Sequence, residues 1–160
     1  AVIEMPLAHI TRRGSSEETI VTIWKKNTVN LEEFLKQTTV PQKLKERACL
    51  SASRQLAKLH AAGFLHSHPR ADNFVATDKG EAYFVDYTLS HSGAFPGFLK
   101  LIDYKKRGMP LTGVTEARRA LRHIVRTIPK LAKREQITLF AKALAEYGKH
   151  RIKEAKRRRK

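Results

Sequence analysis

The stretch His66-Ser67-His68-Pro69-Arg70-Ala71-Asp72-Asn73-Phe74 sits between a long helix-like run and the segment Tyr83-Phe84-Val85-Asp86-Tyr87-Thr88-Leu89-Ser90. Its surroundings decide how it is read. Upstream, Leu44, Ala48, Ala52, Leu56 and Leu59 recur at three- and four-residue spacing. That period winds one apolar stripe along a helix, which Pro41 opens and which runs to about Ala62, with Gly63 as its stop. Downstream, Phe74-Val75-Ala76-Thr77 and Ala82-Tyr83-Phe84-Val85-Asp86 flank Asp78-Lys79-Gly80, a hairpin signal. A helix, a polar loop and a folded-back hairpin therefore follow one another without a break.

This order has a chemical use. A hairpin that returns beside a loop can bring a loop amide and a strand-end carboxylate to one point. Asn73 and Asp86 are 13 residues apart, about what two short strands and a tight turn require. Hard oxygen ligands of this kind suit a divalent cation clamped on phosphates. Local readings of the same residues also exist. Asp72 and Asn73 fit turn chemistry. Asp86 ends a buried-looking strand and needs a partner there, which metal, Arg70 or backbone N–H groups could each supply. His66 fits a structural brace for the loop. His60, His66 and His68 lack the Cys or Glu partners and the spacing of a zinc site.

The composite of helix, loop, Asn, hairpin and Asp-Tyr-Thr resembles the C-lobe of the protein-kinase-like superfamily, over roughly residues 1–107. In that family the loop reads H-R-D-x-x-x-x-N and the next strand ends in D-F-G. On this resemblance His66 takes the loop His, Ser67 the Arg, His68 the catalytic Asp, and Arg70 the Lys of many members. Asn73 and Asp86 take the two metal-binding positions, and Tyr87 and Thr88 replace Phe and Gly. Asp-Tyr-Thr-Leu-Ser is similar to haspin and to small bacterial lipopolysaccharide (Kdo and heptose) kinases. The opening Ala1-Val2-Ile3-Glu4-Met5 resembles the hinge strand, so Glu4 and Met5 fall where a nucleotide base binds, and Val29-Asn30-Leu31-Glu32-Glu33-Phe34-Leu35 resembles the helix after the hinge. The resemblance implies an α+β fold, mostly helical with short hairpins and a reduced or absent N-lobe. It implies Mg²⁺ and ATP as cofactors, weakly bound, and a hydroxyl acceptor on a lipopolysaccharide sugar or a protein. It divides the chain into a hinge-like strand and hairpin at residues 1–29, a C-lobe at 30–148 and a basic tail at 149–160.

The departures from the family pattern set expectations of their own. No G-x-G-x-x-G occurs, and Val21-Thr22-Ile23-Trp24-Lys25 only approaches the V-A-I-K strand. An imidazole at position 68 accepts a proton with an ordinary pKa near 6.5, but it brings none of the negative charge of a carboxylate. A degenerate, pseudokinase-like phosphotransferase is the expectation. A start inside a hinge-like strand adds the expectation of an N-lobe supplied upstream or by a partner chain.

The rest of the chain reads as helix and hairpin. Val2, Ile3, Met5 and Leu7, then Ile20, Val21, Ile23 and Trp24, flank a turn-like cluster and predict a two-stranded antiparallel unit. Asn30 reads as an N-cap with Glu33 at the capping-box position. A short helix is expected at Phe98–Lys106. Thr115 reads as the cap of a helix with Leu121, Ile124, Val125 and Ile128 inward, broken at Pro129. A last helix from about Arg134 should turn Ile137, Phe140, Leu144 and Tyr147 inward. Trp24 and the phenylalanines are scattered singly, as core residues are, and form no base-stacking platform.

Charge is the strongest compositional signal. The 160 residues carry a net +17, with 16 Lys/Arg against 3 Asp/Glu in residues 118–160. The last 12 residues hold eight basic groups and one acid. Such a run is either a solvated face or a footprint for an anionic partner, RNA or an anionic membrane or lipopolysaccharide precursor in equal measure. A non-enzymatic scaffold that docks on RNA or a protein through this helix is the alternative function. A single cysteine, Cys49, makes no internal disulfide and fits a reducing cytoplasm. No apolar run reaches membrane-spanning length, and the opening lacks a signal-peptide pattern, so the expected location is cytoplasmic, including the inner face of the membrane.

Overall fold

The computed structural model describes residues 2–11, 18–61, 64–65, 69–85, 90–91 and 113–157. The fold is α+β. Strands β1 (Val2–Thr11) and β2 (Glu18–Lys26) pair antiparallel, with Glu4 opposite Trp24 and Met5 opposite Ile23, and a register irregularity between Pro6 and Ala8. The two apolar runs of the sequence thus form the expected hairpin.

The chain then turns at Asn27, which has φ +58°. Asparagine tolerates this left-handed conformation better than any other residue except glycine. Strand β3 (Thr28–Asn30) follows and leads directly into helix α1 (Leu31–Lys36). Helix α1 is therefore entered from β3, and Glu4 and Met5 lie two strands earlier, inside β1.

Helix α2 (Gln42–Ala61) carries the expected stripe, with Ala48, Ala52 and Leu56 fully buried. Ala57, Cys49 and Ser53 widen the buried face with small side chains, and the Ser53 hydroxyl donates back to the Cys49 carbonyl at 2.9 Å. A face built of small residues lets another helix approach closely. That helix is α4 (Lys133–Arg157), whose Leu139, Ala143 and Tyr147 are buried four residues apart. Ile137 is a correction to the sequence reading, being 60% exposed. At about 100° per residue it sits about 120° around the helix from Ala143, beyond the edge of the buried stripe.

Helix α3 (Gly113–Arg126) packs against both α2 and α4 through Leu121, Ile124 and Val125, with Ile128 just beyond its end. It starts two residues before Thr115, so Thr115 is a helical residue and not the cap. Its end is tightened by hydrogen bonds from Thr127 N to the His123 and Ile124 carbonyls, at 3.1 and 3.2 Å. Pro129 then stops it, and Lys130 takes φ +60°. Within the described residues no helix is long and apolar enough to cross a membrane.

A three-stranded antiparallel sheet, ordered β3-β5-β6, lies beside α1 and α2. Strands β5 (Phe74–Thr77) and β6 (Ala82–Phe84) are the expected hairpin. Gly80 has φ +70°, and a Cβ there would stand 2.9 Å from the Leu44 carbonyl oxygen, so the turn is pressed onto α2. Phe74 and Phe84 are cross-strand partners with ring centroids 4.1 Å apart. Strand β6 is at the edge of the sheet, and Ser51 of α2 covers part of that edge by accepting from Ala82 N at 2.9 Å. Strands β4 (Phe64–Leu65) and β7 (Ser90–His91) pair antiparallel and bring together the two ends of the loop-and-hairpin segment. The expected helix at 98–106, the Gly63 stop and the side chain of Trp24 lie outside the described residues.

Candidate functional site

The loop is built outward from Arg70. Residues Ala71–Asn73 form one turn of 3-10 helix, closed by Asn73 N donating to the Arg70 carbonyl at 3.1 Å. Asn30 fixes this turn to the rest of the fold. Its Oδ1 accepts from Glu32 N at 2.8 Å and caps α1, while its Nδ2 donates to the Asp72 carbonyl at 2.9 Å. The sequence showed only the capping half of this role, because the second partner lies 42 residues away.

The hairpin returns as the spacing required. Val85 N donates to the Asn73 carbonyl at 3.0 Å, immediately after β6. Asn73 therefore stands beside the end of β6, one residue before position 86. Asp86, His66 and His68 lie outside the described residues. Arg70 Nε is 3.4 Å from Asp72 Oδ1, near enough for an ion pair. That contact is not aligned as a hydrogen bond, and Asp72 Oδ1 is a buried atom without one. Arg70 and Asp72 are both half-exposed, so the pair is screened and loosely held.

Helix α3 reaches this loop. The Glu32 carboxyl of α1 is held below its ordinary value, first by the Lys36 hydrogen bond, against partial desolvation, and then by the charges of Lys36, His123 and Arg70. The start of α1, the loop arginine and His123 of α3 therefore share one electrostatic neighbourhood. Beside it, Arg118, Arg119, Arg122, His123, Arg126 and Thr127 line an open groove of about 550 Å³. The sequence places the basic footprint in residues 118–160, with its weight on the C-terminal helix and tail, and does not single out this groove.

A second polar cluster lies under α3. His60 Nε2 is 3.0 Å from Glu116 Oε1 and His60 Nδ1 is 2.9 Å from the Tyr147 hydroxyl. The His60 and Glu116 side chains are each 1% exposed. Arg151 donates to the Tyr147 hydroxyl at 3.3 Å. Tyr147 is pushed up by burial, which Arg151 opposes by its charge and its hydrogen bond. The cluster ties α2, α3 and α4 together away from solvent, which makes His60 structural. Among the described residues no group of three or more His, Cys, Asp or Glu could hold a metal ion. Cys49 is buried, and burial pushes its thiol up to about 12, so it is no nucleophile near neutral pH.

No protein-family model matches the chain, and no curated protein matches it.

Proposed function

We propose that the chain is a degenerate kinase-like phosphotransferase domain that takes ATP, Mg²⁺ and a hydroxyl acceptor. The observation that supports this reading most is the hydrogen bond from Val85 N to the Asn73 carbonyl. It sets the backbone of Asn73 beside Val85, one residue before Asp86 in the chain, which is compatible with two oxygen ligands for a phosphate-bound cation. The antiparallel pairing of β4 with β7 and the Asn30 tether to Asp72 are consistent with a loop held in one geometry.

In this reading Asn73 and Asp86 hold the cation, which when bound neutralises charge on the phosphates. His68 orients the acceptor hydroxyl and takes its proton. Arg70, only loosely paired with Asp72, would be available to hold a phosphate oxygen, since a guanidinium grips phosphate in two-point fashion. Glu4 and Met5 of β1 supply the base-binding edge. The acceptor is a lipopolysaccharide-type sugar or a protein hydroxyl.

The test is thermal stability with Mg·ATP. A ligand that binds only the folded state adds about 1.4 kcal/mol at roughly ten times its Kd. Wild type should be stabilised by Mg·ATP but not by ATP with chelator, and Asp86→Ala should remove the effect. No shift at millimolar Mg·ATP defeats the reading. His68→Asp should raise phosphoryl transfer by roughly 10²-fold if the missing carboxylate is the main defect.

A further inference from the structure

The winding of α3 separates its residues into two faces of opposite character. One carries Ala117, Ala120, Leu121, Ile124 and Val125 into the core, with the helix's one acid, Glu116, buried beside His60. The other carries Arg118, Arg122 and Arg126 in a row at four-residue spacing, next to Arg119 and His123 in a parallel row. All four arginines are exposed. Like charges at this spacing repel, and each such pair weakens a helix by about 0.2–0.5 kcal/mol. Among the described residues no carboxylate pairs with these arginines, although three- and four-residue acid–base pairs occur in α1 and α4. A face that only had to be soluble would gain from such pairs.

The groove has further features of a binding site. Arg122 lies over the Phe140 ring, 5.8 Å from its centroid, so its guanidinium is braced from α4. His123 Nδ1 is buried and has no hydrogen-bond partner. The Thr127 hydroxyl donates to the His123 carbonyl at 3.0 Å and keeps its oxygen as an acceptor. A volume of about 550 Å³ is the size of a small-molecule site. The row from Arg118 to Arg126 spans about 12 Å at 1.5 Å per residue, with about 6 Å between neighbours. That suits a compact ligand with phosphates on separate atoms. A nucleic-acid strand is a poorer fit, because among the described residues no aromatic side chain lines the groove to stack a base.

We propose that the arginine groove of α3 binds a phosphorylated sugar or sugar-like headgroup, with Arg118, Arg122 and Arg126 on its phosphates and His123 beside them in the parallel row. The site stands whether or not the chain transfers a phosphoryl group.

The experiment is a binding titration without nucleotide or metal. Its probes are a hexose bisphosphate in solution, phosphatidylcholine vesicles containing phosphatidylinositol bisphosphate, phosphatidylserine vesicles of matched surface charge, and an oligouridylate. Arg118→Ala/Arg126→Ala removes two groove charges, and Lys153→Gln/Lys156→Gln removes two exposed charges from the far end of α4. The groove variant should bind the phosphate-monoester probe at least about tenfold more weakly, the loss of one charge-assisted hydrogen bond. The tail variant should bind within about twofold of wild type. Arg122→Lys should also lose affinity, because it keeps the charge and loses the fork. Binding of the hexose bisphosphate identifies a soluble ligand, and binding of phosphatidylinositol bisphosphate vesicles alone identifies a lipid headgroup. Either supports the site. Three results overturn it: no binding of either phosphate-monoester probe, equal losses in the groove and tail variants, or tightest binding to oligouridylate or phosphatidylserine. Melting temperatures guard against misfolding, and the groove variant should melt no lower than wild type because a repulsive row has been thinned.

Discussion

Replacing His60 with alanine should be among the most destabilising single changes in the described part of the fold. The substitution removes both ring contacts, at 3.0 Å to Glu116 Oε1 and 2.9 Å to the Tyr147 hydroxyl. It also removes an edge-on ring contact with Tyr147 at 5.6 Å between centroids. Taking a partner from a buried polar group costs roughly 1–3 kcal/mol, and here Glu116 and Tyr147 each lose one, so the loss should reach about 3–5 kcal/mol. Total stabilities of ordinary domains are about 5–15 kcal/mol, so the loss is a large share. For a chain of this length each kcal/mol shifts the melting point by about 2–4 °C, giving a drop of order 10 °C. The assay is urea unfolding followed by circular dichroism, comparing midpoints at a common slope. His60→Leu/Glu116→Leu provides the internal check. If the cost comes from a buried carboxyl that has lost its His60 contact, the double variant should be more stable than the sum of its single changes predicts. A loss below about 1 kcal/mol for His60→Ala, or strict additivity in the double variant, would refute the assignment of this cluster as the tie between α2, α3 and α4.

Four further outcomes follow from particular contacts. Burial alone would raise the Glu146 carboxyl, but the Arg54 hydrogen bond at 3.0 Å, with the charges of His150, Arg54 and Lys149, holds it below its ordinary value. Its stabilising contribution is therefore present above the unfolded-state value of about 4.5 and fades as pH falls through the lower folded value; Glu146→Gln should flatten the stability profile over that acidic range. Gly80→Ala should cost about 1–3 kcal/mol by urea unfolding, since a Cβ at φ +70° would meet the Leu44 carbonyl at 2.9 Å. Asn30→Ala should lose about 2 kcal/mol, one part the α1 cap and one part the tether to Asp72, whereas Asn30→Asp should keep the cap and lose only the tether. Native Cys49 should resist thiol reagents at neutral pH and react only on unfolding, which a time-resolved thiol assay reads directly.

The elements that the sequence announced are those whose signal is local and periodic. The α2 stripe, the β5–β6 hairpin around Gly80 and the core face of α3 each repeat a pattern within one element, and each is found where that pattern puts it. The misses have equally physical causes. Thr115 looked like a cap because capping residues are recognised by type, yet α3 begins at Gly113. There a Cβ would stand 3.0 Å from the His60 ring, so a glycine permits the close approach of α3 to α2. Ile137 is apolar and near the stripe, but helical phase and not composition decides exposure. His60 was grouped with His66 and His68 because they are neighbours in sequence. Its actual partners are 56 and 87 residues away, and no local pattern carries that information.

The same limit explains why the two basic regions were read so unequally. A charge run such as residues 149–160 is visible at once, because its members are adjacent in the chain. Yet Lys149, Lys153, Lys156 and Arg157 lie on a helix that also has Ile152 exposed and Glu154 pairing with Arg157, the mixture of a solvated face. The four arginines of α3 are interrupted by Ala120, Leu121, Ile124 and Val125, so along the chain they read as ordinary amphipathic helix. Only winding the helix stacks them, and only the contact of α3 with the 71–73 turn brings His123, beside them, into the electrostatic neighbourhood of Glu32 and Arg70. Local self-repulsion on that row is offset by no carboxylate among the described residues, whereas α4 pairs its own charges as it goes. An anion bound along the row would relieve the repulsion directly, so ligand should stabilise wild type more than Arg118→Ala/Arg126→Ala, and added salt should narrow that difference by screening the same charges.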